Sequence, residues 1–242
     1  MTDCEIRNRR DEKIDHTFHP GLREDVLVIL GHGVTGNKDR PHLVALAAGL
    51  AARGWPCLRI SYSGNGDSEG RFEDSCITQE IGDLQAVLSA VPDTTKAIYI
   101  GHSMGGAVGV LTAARDLRVQ ALVSLAGMTH TADFIQREFG TVTPDAGLMW
   151  DDGACPLSQI YVDDLNAIHD TLSAAEAIIQ PWLVIHGSAD DVVPLQDGLD
   201  AFAAATCEKQ WLEIPGAGHS FEEVHHPLLI ETVDQWLHTV CG

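Results

Sequence analysis

Three residue types that cooperate in nucleophilic catalysis occur in this sequence at suggestive places. Within "YIGHSMGGAVGV" (Tyr99 to Val110), Ser103 stands between Gly101 and Gly105 as G-x-S-x-G. A buried-looking run ends at Ile100, and a small-residue helical run begins at about Met104. A serine on so sharp a strand-to-helix turn is held in a strained conformation, and its neighbours two positions away must be small. A hydroxyl is a weak nucleophile until a base takes its proton and an acid orients that base. "HGSADDVVP" places Asp190 a few residues past the run ending at His186, and "IPGAGHSF" places His219 in a glycine-flanked loop. Asp191 is the adjacent alternative for the acid. Each of Ser103, Asp190 and His219 follows the end of an expected strand, so all three can converge on one sheet edge. The oxyanion of an acyl-transfer intermediate needs preorganised N–H donors. Met104, just after the serine, offers one, and Val34 in "LGHGVTGN" offers the second.

The elements that must hold these residues are legible in the hydrophobic pattern. Val26–Leu30, Cys57–Ser61, Ala97–Ile100, Ala121–Leu125, Trp182–His186 and Gln210–Ile214 are short apolar runs of the kind buried on both faces. Between them lie helical stretches. Pro41 is a plausible first helical residue with Gly54 as the stop, and Ile77, Ile81, Leu84 and Leu88 form an apolar stripe. Val233, Trp236, Leu237 and Val240 share a face near the end. Strands alternating with helices predict an α/β fold with a mostly parallel sheet of about eight strands. One or two antiparallel edge strands are expected before Gly21. The 128–180 segment has no strand-like run, only a helical pattern near Asn166 to Ile179. It reads as a cap inserted after the sixth strand into a core formed by 1–127 and 181–242. Phe134, Trp150 and Tyr161 are candidates to line a substrate pocket under it, or to pack it onto the core. His32 and Gly33 are candidates on the core side.

Composition narrows the function classes. The chain has 242 residues, 35 acidic against 15 basic, and a formal charge of -20. Such a surface repels phosphate backbones and anionic membranes, so neither nucleic acid nor membrane is expected as a partner. The opening "MTDCEIRNRRDEK" lacks the apolar region of a secretory signal. Six scattered cysteines without a C-x-x-C pair suggest free thiols and a cytoplasmic setting. No H-E-x-x-H or Cys/His cluster indicates a metal, and no cofactor is expected. Gly31, Gly33 and Gly36 spell G-x-G-x-x-G, a dinucleotide fingerprint. Pro41, however, starts the next helix too late to meet a pyrophosphate, and no acid ends the next strand.

Taken together, "HGVTGNKDR", "ISYSGNGDSEGRFED", "GHSMGG", "HGSADDVVP" and "GAGHSF" resemble the α/β-hydrolases, and more narrowly the small bacterial carboxylesterases that include the cinnamoyl (feruloyl) esterases. The resemblance runs from about Val26 to the C-terminus. It implies an α/β-hydrolase fold and a serine hydrolase acting on a small-molecule carboxylic ester. It also implies Ser103 as nucleophile, His219 as base, Asp190 as acid, and Val34 and Met104 as oxyanion donors. The related pattern G-x-x-D-x-x-V-P fits Gly187, Asp190, Val193 and Pro194, which favours Asp190 over Asp191. An aminopeptidase-like amidase or an acyltransferase with the same triad is the alternative, with cap acids such as Asp151, Asp152, Asp163 and Asp164 available to hold a substrate amine.

Overall fold

A computed structural model describes residues 5–242 of the chain. Two short strands, β1 (Ile6–Arg7) and β2 (Lys13–Ile14), pair only with each other. They are followed by β3 (His16–His19), β4 (Val26–Gly31), helix α1 (Pro41–Ala51), β5 (Cys57–Ile60), α2 (Ile77–Ala90), β6 (Lys96–His102), α3 (Met104–Ala113) and β7 (Val119–Leu125). Three helices come next, α4 (Thr131–Phe139), α5 (Gln159–Ile168) and α6 (Leu172–Ala177). The chain closes with β8 (Trp182–Gly187), α7 (Leu195–Ala204), β9 (Lys209–Ile214) and α8 (His226–Cys241).

The main sheet has seven strands in the order β3-β5-β4-β6-β7-β8-β9, all parallel except β3, which runs antiparallel to β5. This is one strand fewer than the pattern suggests. The two-residue β1 and β2 form a separate ribbon whose inward side chains, Ile6 and Ile14, are buried. The segment 128–180 therefore follows the fifth strand of the main sheet, β7. Its helical pattern also divides: α5 ends at His169, which adopts φ 66, and α6 begins three residues later.

Side chains alternate across the strands and fill two cores. Leu27, Ile29 and Tyr99 point to one face with α2 and α3, while Val28, Leu30, Ile98 and Ile100 point to the other with α1 and α8. The sheet is thus buried on both sides, which leaves function to its edges. The order in which strands are added reverses at β4, which lies between β5 and β6. Open α/β sheets bind ligands at such a switch, beyond the carboxyl ends of the strands. Gly31 pairs with Gly101, and Gly187 with Ile214, so the ends of β4 and β6 are level, as are those of β8 and β9. The loops carrying Val34, Ser103, Asp190 and His219 all leave that edge.

Candidate active site

Ser103 occupies the turn from β6 into α3 with φ 55 and ψ -119. A non-glycine residue in that region is strained by roughly 1–3 kcal/mol and persists only where its surroundings hold it. Here they do. The Ser103 N–H donates to the Leu125 carbonyl (3.0 Å), while its own carbonyl accepts from Gly106 (2.9 Å) and Met128 (3.0 Å). A Cβ on Gly101 would stand 2.1 Å from the Gly105 carbonyl oxygen, and one on Gly105 would stand 2.5 Å from that of His32. Only hydrogen fits at either place. Ser103 itself is 1% exposed, yet it lines an open cleft of about 290 Å³.

The loop after β4 passes across this serine. A Cβ on Gly33 would lie 2.7 Å from the Ser103 Cβ and 3.1 Å from its Oγ, so the absent side chain leaves room beside the hydroxyl. His32 explains the shape of the loop. Its Nε2 accepts from the Tyr62 N–H (3.0 Å), so its proton sits on Nδ1 and is donated to the Gly33 carbonyl (2.8 Å). Burial pushes this ring down to about 4, which keeps it neutral. With the Gly33 carbonyl tied back, the Val34 N–H in the same planar trans peptide points the opposite way. Met104 is the first residue of α3, so its N–H has no partner within the helix. The three glycines that matched a dinucleotide fingerprint therefore pack elsewhere, Gly31 against the Tyr62 and Tyr99 hydroxyls and Gly33 against Ser103.

On the other side of the cleft the Asp190 Oδ2 lies 2.9 Å from the His219 Nδ1. Its Oδ1 accepts from the N–H groups of Val192 and Val193, both at 2.9 Å. The Asp190 side chain is fully buried, with the His186 Nε2 3.4 Å from Oδ2 and 3.0 Å from the Val193 carbonyl. Burial alone would raise the Asp190 carboxyl. The bonds from His186 and His219, the His219 charge and the Val192 N–H outweigh it and hold the group well below the usual carboxylate range. Asp191 points outward and is exposed.

The His219 loop is also pinned from the serine's side. His102 donates from Nε2 to the His219 carbonyl (2.8 Å), and its ring packs, tilted, with centroids 4.7 Å from that of His219 and 4.3 Å from that of His42. Burial first, then the neighbouring His42 and His219, hold the His102 ring far below the imidazole range. Ser103 and His219 share the cleft with Gly33, Val34, Thr35, Arg40, His42, Trp150 and Val192 among its walls. No hydrogen bond joins the Ser103 hydroxyl to the His219 ring, whose Nε2 lies opposite the Asp190 contact.

The structure therefore gathers Ser103, Asp190, His219, Val34, Met104, His32 and Gly33 at one edge. It treats the three aromatic candidates differently. Trp150 is 45% exposed on the cleft wall, with its Nε1 donating to Glu138 (3.1 Å). Phe134 and Tyr161 are 1% and 2% exposed and pack in the interior, off the cleft wall. The sequence by itself assigns no role to Arg40, which ends the "HGVTGNKDR" motif, or to His42, which lies just past it at the start of α1. Of the acids considered for an amine, none lines the cleft; Asp163 bonds Gln159 and Asp164 bonds Thr78. Among the described residues no group of three or more His, Cys, Asp or Glu converges as metal ligands.

Comparisons with known proteins agree with this fold. The family model for the alpha/beta hydrolase fold matches residues 26–146, half of the chain. An uncharacterized protein of Mycobacterium tuberculosis is 28% identical over 202 residues, covering 81% of this chain and 64% of its own, so the chain spans under two thirds of that relative. A putative esterase/lipase of Mycoplasma genitalium is 25% identical, with 91% of each chain covered. Among solved structures, Est1E from Butyrivibrio proteoclasticus with ferulic acid bound superposes with a TM-score of 0.84 at 22% identity, covering 98% of this chain and 99% of that one. Alpha/beta hydrolase domain-containing protein 10 from mouse gives 0.81 at 19% identity, covering 98% of each. At those identities the superpositions speak for the fold.

Proposed function

The chain belongs to the α/β-hydrolase family and is esterase/lipase-like within it, and from that premise we propose that it is a serine carboxylesterase acting through Ser103, His219 and Asp190. The observation that carries the reading is the 2.9 Å contact between Asp190 and the His219 Nδ1 in the cleft that Ser103 lines at φ 55. Both Asp190 oxygens accept bonds, so the carboxylate holds the His219 proton on Nδ1 and leaves Nε2 free to accept another.

In the proposed cycle an ester enters the cleft and the serine and imidazole close on it, a tightening common when substrate arrives. His219 takes the Ser103 proton as Oγ adds to the ester carbonyl carbon. The carbonyl oxygen becomes an oxyanion held by the Val34 and Met104 N–H groups, each worth roughly 10²–10³ in rate. The tetrahedral intermediate collapses, the ester C–O bond breaks, and His219 gives its proton to the leaving alcohol. Water, deprotonated by His219, then releases the acid and restores Ser103. The 128–180 segment acts as a cap, with Trp150 facing the reacting carbonyl. The substrate is a small-molecule ester; no cofactor, nucleic acid or membrane takes part. The setting is cytoplasmic, which suits five described cysteines that are all free, four of them buried. No helix among the described residues is long and apolar enough to cross a membrane.

Hydrolysis of p-nitrophenyl butyrate by wild type and Ser103→Ala tests the reading. The variant should retain its circular dichroism and lose at least ~10³ in kcat. A folded variant with near wild-type turnover would end the proposal.

A further inference from the structure

Arg40 is the one permanently charged side chain among the described residues lining the cleft of Ser103 and His219. It is held in place by a single bond from its guanidinium to the Thr35 carbonyl (2.9 Å). A guanidinium carries five N–H donors in a rigid fork, so most of that capacity faces open space. The chain has 35 acidic residues, and Arg7, Arg10, Arg23, Arg53, Arg59, Arg71, Arg118 and Arg137 each lie within 4.0 Å of at least one, while Arg9 and Arg115, which do not among the described residues, stand off the cleft wall. Arg40 has no such partner among the described residues.

Two further features point the same way. Arg40 is the N-cap residue of α1, whose first turn carries no acid to offset the positive end of the helix dipole, and the preceding Asp39 is engaged by Lys38 and Arg59. His42, the next polar residue, is 2% exposed on the same cleft wall, and its Nε2 is buried without a hydrogen-bond partner. Burial first, and then the charges of His219, His226 and Arg40, push this ring down to about 3, so it is an uncharged group with an unused nitrogen. A clamp for the loop would need only the Thr35 contact. An open fork and a helix N-terminus on one wall, with the uncharged His42 ring adding no opposing charge, make a ready site for an anion.

We propose that Arg40 forms an anion subsite, so that the preferred substrates are esters bearing a carboxylate. The planar carboxylate matches the guanidinium fork, and Arg40 would bind it through two parallel N–H···O bonds. The same wall lacks any carboxylate, which leaves nothing to hold a substrate amine. This inference rests on the ester-hydrolysis reading above.

Two matched pairs of substrates separate the possible positions of the charge. Monoethyl glutarate against ethyl pentanoate places it on the acyl side; 4-acetoxybenzoate against 4-methylphenyl acetate places it on the leaving group. Product release is followed by chromatography for wild type, Arg40→Gln and Arg40→Lys. In at least one pair, wild type should favour the carboxylate-bearing member by about tenfold in kcat/KM, and Arg40→Gln should erase that ratio, chiefly through KM. Arg40→Lys should keep part of it, because the charge survives while the fork is lost. Using the ratio cancels any general damage to the loop. Ratios unchanged by Arg40→Gln in both pairs, with the uncharged esters still hydrolysed, would overturn the subsite and leave the esterase reading standing. Hydrolysis of none of the four esters would strike the esterase reading itself, and the subsite with it.

Discussion

At the scale of single residues the decisive contrast is between Asp190 and its neighbour Asp191. Both are aspartates in one loop, but the Asp190 side chain is fully buried and bonded on both oxygens, whereas Asp191 is exposed. An ionised acid behind the imidazole sets its tautomer, and an amide in that place would favour the wrong one. We expect Asp190→Asn to lower kcat by about 10³–10⁴ and Asp191→Asn to change it less than about threefold. Steady-state turnover of a p-nitrophenyl ester measures both, and equal losses would remove Asp190 from its proposed role. Because its bonds hold Asp190 below the usual carboxylate range, it stays ionised throughout the assay range, and loss of activity on mild acidification cannot be assigned to its titration. Ser103, Asp190 and His219 were legible because each lies in a short motif just past a strand. His102 and His186 were visible only as strand-end histidines that shape loops, and His42 not at all, since a histidine in ring contact or bonded to a carbonyl leaves no pattern in the neighbouring residues.

At the scale of elements, the helix after β5 shows where periodicity misleads. Ile77, Ile81, Leu84 and Leu88 mark an apolar face of α2, yet Ile81 is only partly buried while Glu80 and Asp83 are 1% and 0% exposed. Asp83 is matched by donors from Asn8 (2.8 Å), the Ser63 N–H (2.8 Å) and the Ser63 hydroxyl (2.7 Å). Glu80 has only the Ser75 hydroxyl at 3.2 Å on one oxygen, and its other oxygen has no partner. Burial, then the nearby Asp83, raise the Glu80 carboxyl well above its ordinary value. The folded chain therefore keeps a proton that the unfolded chain gives up above about pH 4.3, so this group costs stability as pH rises past that point. Glu80→Gln removes the ionisation from both states. Thermal melts from pH 4 to 8 should show a Tm advantage for the variant that is widest at pH 8 and closes toward pH 4. An advantage independent of pH, or a loss at pH 8, would contradict this account. The 128–180 segment is anchored in a comparable way: the Asp197 carboxylate of α7 accepts from the N–H groups of Thr129 (2.7 Å) and His130 (3.0 Å) where the segment begins.

At the scale of the whole molecule two opposing demands are visible. The doubly covered sheet must hold strained backbone around the cleft, where Thr35, Ser103, Trp150 and Asp151 all adopt positive φ. Each such residue costs roughly 1–3 kcal/mol, which the two cores must offset. The formal charge of -20 works against compactness as well, because the acids far outnumber the bases available to pair them. Exposed ion pairs contribute only about 0–1 kcal/mol each, so repulsion among unpaired acids dominates the surface. Screening shortens that repulsion to about 10 Å at 0.1 M salt. Raising NaCl from low to moderate concentration should therefore raise Tm by several degrees, read by calorimetry. A Tm that stays flat or falls would show that surface pairing, and not repulsion, governs the charge balance.

Much of this was decided by local pattern. Apolar runs of four to six residues alternating with helical stretches fit strands of a covered sheet, and glycines flanking Ser103 allow a turn that larger residues would block, so fold class and the three candidate residues follow from neighbours in sequence. What pattern could not decide is pairing across distance. The 2.9 Å contact of Asp190 with His219, the tie from His102 to the His219 carbonyl, and the interior placement of Phe134 and Tyr161 join residues far apart in the chain. So does the meeting of Arg40 with the Ser103 cleft, because α1 leaves β4 beside the turn after β6 only once the sheet has formed. Such contacts are set by strand order and packing, for which a linear sequence has no local signal.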